Sequence, residues 1–380
     1  MRVLWFGTYS VGPGYPRNTV LMEALRSVGV EVVECHAPLF QGAADKVRAA
    51  STIRGRLGFG LKALAAWARL TLRYFRAGPR DIVLVGYTGH LDIQLARVLS
   101  WLRPSPLVLD AFLSPWDTVV NDRALLGDRS LGARLLFGLE RSSLRRADLV
   151  LTDTASHADF MAETFGVDRA RFEPVPVGSL ISRPSRVPVR VGGAKEAQGD
   201  FHAFFCGSFV PLQGVPYILD AAARAPQIEF RLVGDGPDGP RVEEELRQRA
   251  MNNVVLERRF IDRETLETRL AAAGAVLGVF GSTAKAARVV PCKVYDGLAA
   301  GLPVVTGDSP AIRELLTDGE NALLVDRNDP ASLVRALERL RDDPALADRL
   351  RSGALRVAAD RFAPRVLGEQ LRDRLASLVT

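Results

Sequence analysis

A chain of 380 residues is too long for one ordinary hydrophobic core and predicts two domains. Its 47% hydrophobic and 7% aromatic content describes a soluble globular protein, and no charge-free apolar run reaches transmembrane length. The net charge of +6 is local: residues 46–80 hold nine cations and no carboxylate, and with no recognisable module beside it this weakens a nucleic-acid reading, so no nucleic-acid partner is expected.

Met1–Gly7 is a short apolar run that stops at a turn. A signal peptide needs a longer apolar stretch and a cleavage site, so the run reads as a first strand of a cytoplasmic protein. Cys35, Cys206 and Cys292 are odd in number and lack metal-ligand spacing, which fits a reducing compartment and no metal site.

The N-terminal half alternates strand and helix signals: a strand at Val3–Phe6, a loop at Thr8–Pro16, a helix at Asn18–Val28 ended by Gly29, and a strand at Val30–Cys35. This is a β-loop-α-β opening of the kind that builds a parallel sheet. The loop with Gly12 and Gly14 either lets a phosphate or acceptor approach the next helix, whose first turn carries Arg17, or is a plain connection. Leu57–Arg76 is a helix with Lys62, Arg69, Arg73 and Arg76 in one narrow stripe. It either lies on an anionic membrane surface or packs on the sheet with a solvated basic edge.

Asp81–Tyr87 and Pro106–Leu109 are further strands, the second ending at Asp110. A carboxylate at the C-terminal end of a parallel strand points into the ligand crevice of such folds. Asp117 in the following loop lies beside that crevice or is a helix N-cap. His90 is a further crevice candidate, and His157 reads as structural. A helix at Leu131–Arg146 and strands at Leu149–Thr152 and Phe172–Val177 follow. Residues 183–200 have no apolar period and read as the linker between a first domain, 1–182, and a second, 201–361.

In the second half, strands are expected at Phe201–Cys206, Glu229–Val233, Val254–Leu256 and Ala275–Val279, with a tight turn at Gly234 at the crevice edge. Helices at Pro330–Asp342, Ala345–Arg361 and Pro364–Leu378 close the chain. The most informative stretch is Arg288–Val305. Pro291 suits a first helical position, Gly301 suits the position past the helix end, and Val304 restarts a strand. Lys293 and Asp296 are three apart and share one face. Amides around Val289 and Val290 at a helix N-terminus, with Arg288 and Lys293 beside them, suit a diphosphate, while Asp296 suits ribose hydroxyls. An ordinary αβ unit with a small-residue packing face has the same spacing.

Asp296-Gly-Leu-Ala-Ala-Gly-Leu-Pro-Val-Val305 resembles the donor-binding helix of retaining GT-B-fold glycosyltransferases of family 4, Glu-Ala-Met-Ala-x-Gly-x-Pro-Val-Val. Ala311–Val325 is similar to that family's continuation. The resemblance implies an α/β chain of GT-B architecture, two doubly wound Rossmann-like domains facing a central cleft, with the last helix, 362–380, packing back on the first domain. It implies catalytic roles for Asp110, Arg288 and Lys293, and acceptor-side roles for Arg17, His90 and Asp117. The donor nucleotide would meet Gly12, Gly14, Ser208, Gln213, Gly234, Phe260, Ile261, Val289, Val290 and Asp296.

Three departures stand out. Ser208 and Gln213 replace the Arg and Lys that usually grip the diphosphate. Arg288 occupies the position of the usual sugar-contacting Glu. Asp110 stands where the family often has His. Arg288 and Lys293, with Arg17, are expected to replace the lost charge. The implied reaction moves a sugar from a nucleoside diphosphate sugar (UDP, GDP, ADP or dTDP) to an acceptor hydroxyl with retention, without a bound metal or permanent cofactor. Lipid-linked, sugar and small-molecule acceptors stay open, as do a nucleotide-sugar 2-epimerase and a non-catalytic nucleotide-sugar-binding protein. A nicotinamide enzyme is disfavoured, because Gly7-Thr-Tyr-Ser lacks the Gly-x-Gly-x-x-Gly turn.

Overall fold

A computed structural model describes residues 1–11, 16–39, 53–181 and 201–379, with 53–59 described by backbone alone. Residues 12–15, 40–52 and 182–200, which include Gly12, Gly14 and the expected linker, lie outside the described residues. The chain divides into two compact units: Met1–Val120, Leu125–Pro176 and Pro364–Thr380 form one, and Asn121–Ala124 with Val177–Ala363 the other.

Each unit is built on one six-stranded sheet in which every pairing is parallel. In the first the order is β2-β1-β3-β4-β5-β6, with β1 Arg2–Gly7, β2 Glu31–His36, β3 Ile82–Val85, β4 Leu107–Phe112, β5 Leu149–Thr152 and β6 Phe172–Pro174. In the second it is β12-β11-β10-β7-β8-β9, with β7 His202–Cys206, β8 Glu229–Val233, β9 Val254–Glu257, β10 Ala275–Leu277, β11 Val304–Gly307 and β12 Leu323–Val325. The central strands β3, β5, β10 and β11 are buried at every residue. A parallel strand covered on both faces must be a continuous apolar run, which is how these segments read in the sequence.

The helix Ile53–Arg76 starts earlier than expected and reaches the sheet through Ala66, Leu70 and Tyr74. The expected helix through Arg361 ends at Val357, and a π-turn at Ala358–Phe362 sets Phe362 edge-on to Tyr295, 5.0 Å between ring centroids. The last helix, Pro364–Ala376, belongs to the first unit. It lies so close to the helix Pro16–Ser27 that a Cβ at Gly368 would stand 2.1 Å from the Ala24 carbonyl oxygen. No helix among the described residues is long and apolar enough to cross a membrane.

Candidate nucleotide-sugar site

In the second unit the strand order reverses between β7 and β10. Loops leaving neighbouring strands at such a point run in opposite directions and open a crevice at the strands' C-terminal ends. β7 ends at Cys206 and is followed by Gly207, so the segment holding Ser208 and Gln213 leaves the sheet at this reversal. Two glycines lock that segment. A Cβ at Gly214, which has φ +69°, would stand 2.5 Å from the Gly281 nitrogen, and one at Gly281 would stand 2.3 Å from the Leu212 oxygen. Amides of Phe280 and Gly281 donate to the carbonyls of Gln213 and Leu212.

The helix Cys292–Ala299 enters the same region. Its N-cap is Pro291, not a residue of the first turn, so the first amides of the helix belong to Cys292 and Lys293. Val289 and Val290 precede the helix with buried side chains, which corrects the expectation that their amides form its N-terminus. The small-residue face is also reassigned. A Cβ at Gly297 would stand 2.9 Å from Val304 Cγ2 and 3.1 Å from Val276 Cβ, so this face packs on β10 and β11.

Lys293, one turn before Gly297 on the same side of the helix, reaches the end of β7. Its Nζ lies 3.7 Å from the Phe205 ring centroid and donates to Gln213 Oε1. A Cβ at Gly207 would stand 2.8 Å from that nitrogen, so only glycine leaves room for it. The side chain is buried, and burial pulls its pKa down to about 7. One turn on, Asp296 is pushed up to about 6 by burial, opposed by the hydroxyl of Ser179, which donates to Oδ1 at 2.5 Å. Burial thus brings a cation and a carboxylate on one helix towards neutrality beside the strand reversal.

Ser179 had no signal in the sequence: it sits in an irregular stretch after β6 and is defined only by its partner. Ser179→Ala is expected to raise the Asp296 pKa further, moving the acid limb of nucleotide-sugar affinity to higher pH. Calorimetric titrations across pH would show this, and an unmoved limb would mean that the hydroxyl does not tune Asp296.

The remaining expected donor residues are spread around the unit. Arg288 is half-buried and closes the turn Lys285–Ala287, its amide donating to the Lys285 carbonyl. Ser208 is exposed. Gly234 has φ +145°, and a Cβ there would stand 1.9 Å from the Gly207 oxygen. That glycine is therefore needed for two loops to pass each other, a requirement separate from any nucleotide. Phe260 is exposed and Ile261 half-buried after β9.

The first unit corrects several expectations. Arg17 is 1% exposed; its Nε donates to both Asp110 oxygens at 2.8 and 3.0 Å, and its Nη atoms donate to the carbonyls of Val175 and Thr152. Its guanidinium lies 4.8 Å from the Phe112 ring centroid. Every polar arm is committed inside the unit, so Arg17 is not available to a diphosphate. Asp110 is wholly buried in this pair and does not present a reactive carboxylate. Asp117 is buried, and the capping oxygen is that of Ser114, which accepts from the Asp117 amide at 3.0 Å. His90 is 4% exposed, and burial alone holds its imidazole neutral, down to about 4. It does not present an exposed acceptor contact. His157 is buried, its Nδ1 2.8 Å from Asp153 Oδ1.

Asp92 went unnoticed in the sequence. It sits at the corresponding reversal between β1 and β3, accepting from the Thr8 amide at 2.7 Å, the Thr8 hydroxyl at 2.8 Å and the Trp67 indole at 3.1 Å. Its ligands tie the first loop to the helix Asp92–Leu102, a structural duty.

Residues 9–178 match the glycosyl transferase 4-like domain, and residues 200–343 match the glycosyl transferases group 1 family. Over 167 residues the chain is 28% identical to the lipopolysaccharide core biosynthesis glycosyltransferase LpsD of Rhizobium meliloti, covering 44% of this chain and 47% of that protein. Over 254 residues it is 29% identical to D-inositol 3-phosphate glycosyltransferase of Thermomonospora curvata, covering 62% of this chain and 57% of the relative. The chain thus spans about half the length of these relatives. Among solved structures, sucrose-phosphate synthase of Thermosynechococcus elongatus superposes with a TM-score of 0.73 at 17% identity, over 99% of this chain and 98% of that one. Anabaena HepE in complex with UDP-glucose superposes with a TM-score of 0.68 at 17% identity over all of both chains. These likenesses show the fold.

Proposed function

The chain belongs to the glycosyl transferases of group 1, and we propose that it moves a sugar from a nucleoside diphosphate sugar to an acceptor hydroxyl with retention of configuration. The observation that carries this reading is Lys293 and Asp296, one helical turn apart, the first buried and the second half-buried, both shifted towards neutrality at the strand reversal of the second unit. An arriving diphosphate supplies the anion that Lys293 lacks, and ribose hydroxyls supply donors to Asp296. As the bond between the anomeric carbon and the diphosphate oxygen breaks, negative charge grows on that oxygen, and a pre-positioned ammonium stabilises it. The departing phosphate then accepts the acceptor's proton on the same face, and no bound metal is required.

In this proposal residues 201–361 hold the donor, residues 1–182 serve the acceptor, and 183–200 join them. Lys293 supplies the charge absent at Ser208 and Gln213, with Gln213 acting as its resting partner. UDP-glucose is the first donor to test, because the similar HepE structure holds it. The setting is cytoplasmic and peripheral to a membrane, with residues 46–80 as the anionic-surface contact.

The test is nucleoside diphosphate release from UDP-, GDP-, ADP- and dTDP-sugars with a cell-lipid extract as acceptor, comparing wild type with Asp296→Ala. Release from one donor, dependent on extract and abolished in the variant, is the expected result. Release without extract, with the sugar recovered as an isomer, would replace the proposal with an epimerase. Saturable nucleotide-sugar binding with no release, in extract and with purified sugar acceptors, would leave a binding protein.

A further inference from the structure

The first unit carries an apolar surface that its own core does not use. On the helix Ile53–Arg76, Leu61, Leu64, Ala68, Leu72 and Phe75 recur at three- and four-residue spacing and are all exposed. Leu61 and Leu64 are 71% and 65% exposed. The residues buried on the sheet are Ala66, Leu70 and Tyr74, so the leucine stripe lies on the far side of the helix. The neighbouring helix Asp92–Leu102 repeats the pattern with exposed Val98, Trp101 and Leu102, Trp101 at 74%. The two helices meet at their C-terminal ends: Arg103 Nη1 donates to the Phe75 carbonyl at 3.0 Å, and Tyr74 donates to the Arg103 carbonyl at 3.2 Å. A soluble chain seldom exposes so many large apolar side chains in one place without a partner.

Charge says which partner. Lys62, Arg69, Arg73 and Arg76 line one flank of the stripe. Between Leu61 and Arg103 the chain has only two carboxylates, Asp81 and Asp92. Asp92 is buried among its donors, and Asp81 accepts from the Arg2 amide. The face is therefore cationic and apolar with no exposed compensating acid among its described residues. A second copy of this chain is a poor occupant, since a two-fold contact would set cations against cations. An anionic bilayer matches both properties at once: headgroups meet the cations while leucine, valine and tryptophan enter the interface.

We propose that these two helices form a docking face for an anionic lipid surface, with Leu64, Leu72, Val98 and Trp101 inserting and Lys62, Arg69 and Arg76 binding headgroups. This face deepens the membrane contact given above to residues 46–80 and rests on that part of the reading; it includes none of the residues argued to hold the donor, so its failure would leave sugar transfer standing.

The test is flotation of the full chain with vesicles of phosphatidylcholine alone or with one third phosphatidylglycerol. Wild type is expected to float only with the anionic vesicles, with a blue shift in tryptophan emission that Trp101→Phe removes. Lys62→Gln/Arg69→Gln/Arg76→Gln is expected to weaken partitioning about 100-fold, at roughly fivefold per cation. Leu64→Ser/Leu72→Ser/Trp101→Ala changes only exposed residues and is expected to abolish flotation while leaving UDP-glucose binding and the thermal midpoint unchanged. Equal binding to both vesicle types, no binding to either, or a dimer that the apolar variant dissolves would overturn the proposal.

Discussion

Lys293→Met is expected to lower sugar transfer about 10²–10³-fold, the loss that follows removal of one pre-positioned group facing developing charge. Donor affinity should fall less, about 10- to 100-fold, because a charge-assisted hydrogen bond to the ground state contributes roughly 1.5–3 kcal/mol. The pH dependence gives the same residue a second, sharper signature. In the free protein burial holds the Lys293 amine near 7 and the Asp296 carboxyl near 6. Donor binding favours the ammonium of the first and the carboxylate of the second, so it raises one pKa and lowers the other. Affinity should therefore rise as pH climbs through about 6 and decline as pH passes about 7. UDP-glucose is the right probe, since its diphosphate is esterified at both ends and lacks the monoester titration near 6. Calorimetric titration of wild type should give a bell with its top between those values. Lys293→Met should lose the alkaline limb and keep the acid one, and Asp296→Asn should do the reverse. An alkaline limb that survives in Lys293→Met would remove the ammonium from the proposed site.

The contrast between the two units shows what kind of information a sequence carries. Most of both sheets was legible because buried parallel strands must be apolar runs, as Ile82–Val85 is, whereas the short edge strand Leu323–Val325 was not read as one. The Lys293–Asp296 pair was legible because both members lie on one short helix, where spacing alone decides which side chains share a face. Arg17 and Asp110 are 93 residues apart, and nothing local says that they meet. Asp110 looked like a site residue because it ends a strand and Arg17 because it opens a helix after a glycine-containing loop, but the partner that neutralises each lies elsewhere in the chain. The same limit hid Ser179, whose hydroxyl acquires meaning only against Asp296, 117 residues on. Helix ends failed for a different reason. Pro291 and Asp117 are both residue types that suit a helix start, and moving the boundary by one to three positions changed the role of each, giving the cap to Ser114 in the second case.

Arg17→Met is expected to destabilise the first unit by about 3–5 kcal/mol, the cost of leaving one member of a buried ion pair without the other. The loss extends beyond Asp110. Through one side chain Arg17 joins the helix Pro16–Ser27 to β4, to the last residue of β5 and to the carbonyl just past β6. Its removal leaves a buried carboxylate and two carbonyls without this donor, and burial raises the pKa of an Asp110 that no longer has the guanidinium opposing it. The double replacement Arg17→Met/Asp110→Leu should recover much of the loss, because two apolar groups of similar volume carry no desolvation cost. All four tryptophans, Trp5, Trp67, Trp101 and Trp116, lie in the first unit, so their fluorescence in urea follows that unit separately from the second. A first-unit transition unchanged in Arg17→Met, or a double variant no more stable than the single one, would show that the pair is not what holds these strand ends together. Donor binding offers the complementary reading. If Arg17 has only this structural duty, UDP-glucose affinity measured below the first unit's transition should match wild type. A loss of affinity there would return Arg17 to the diphosphate.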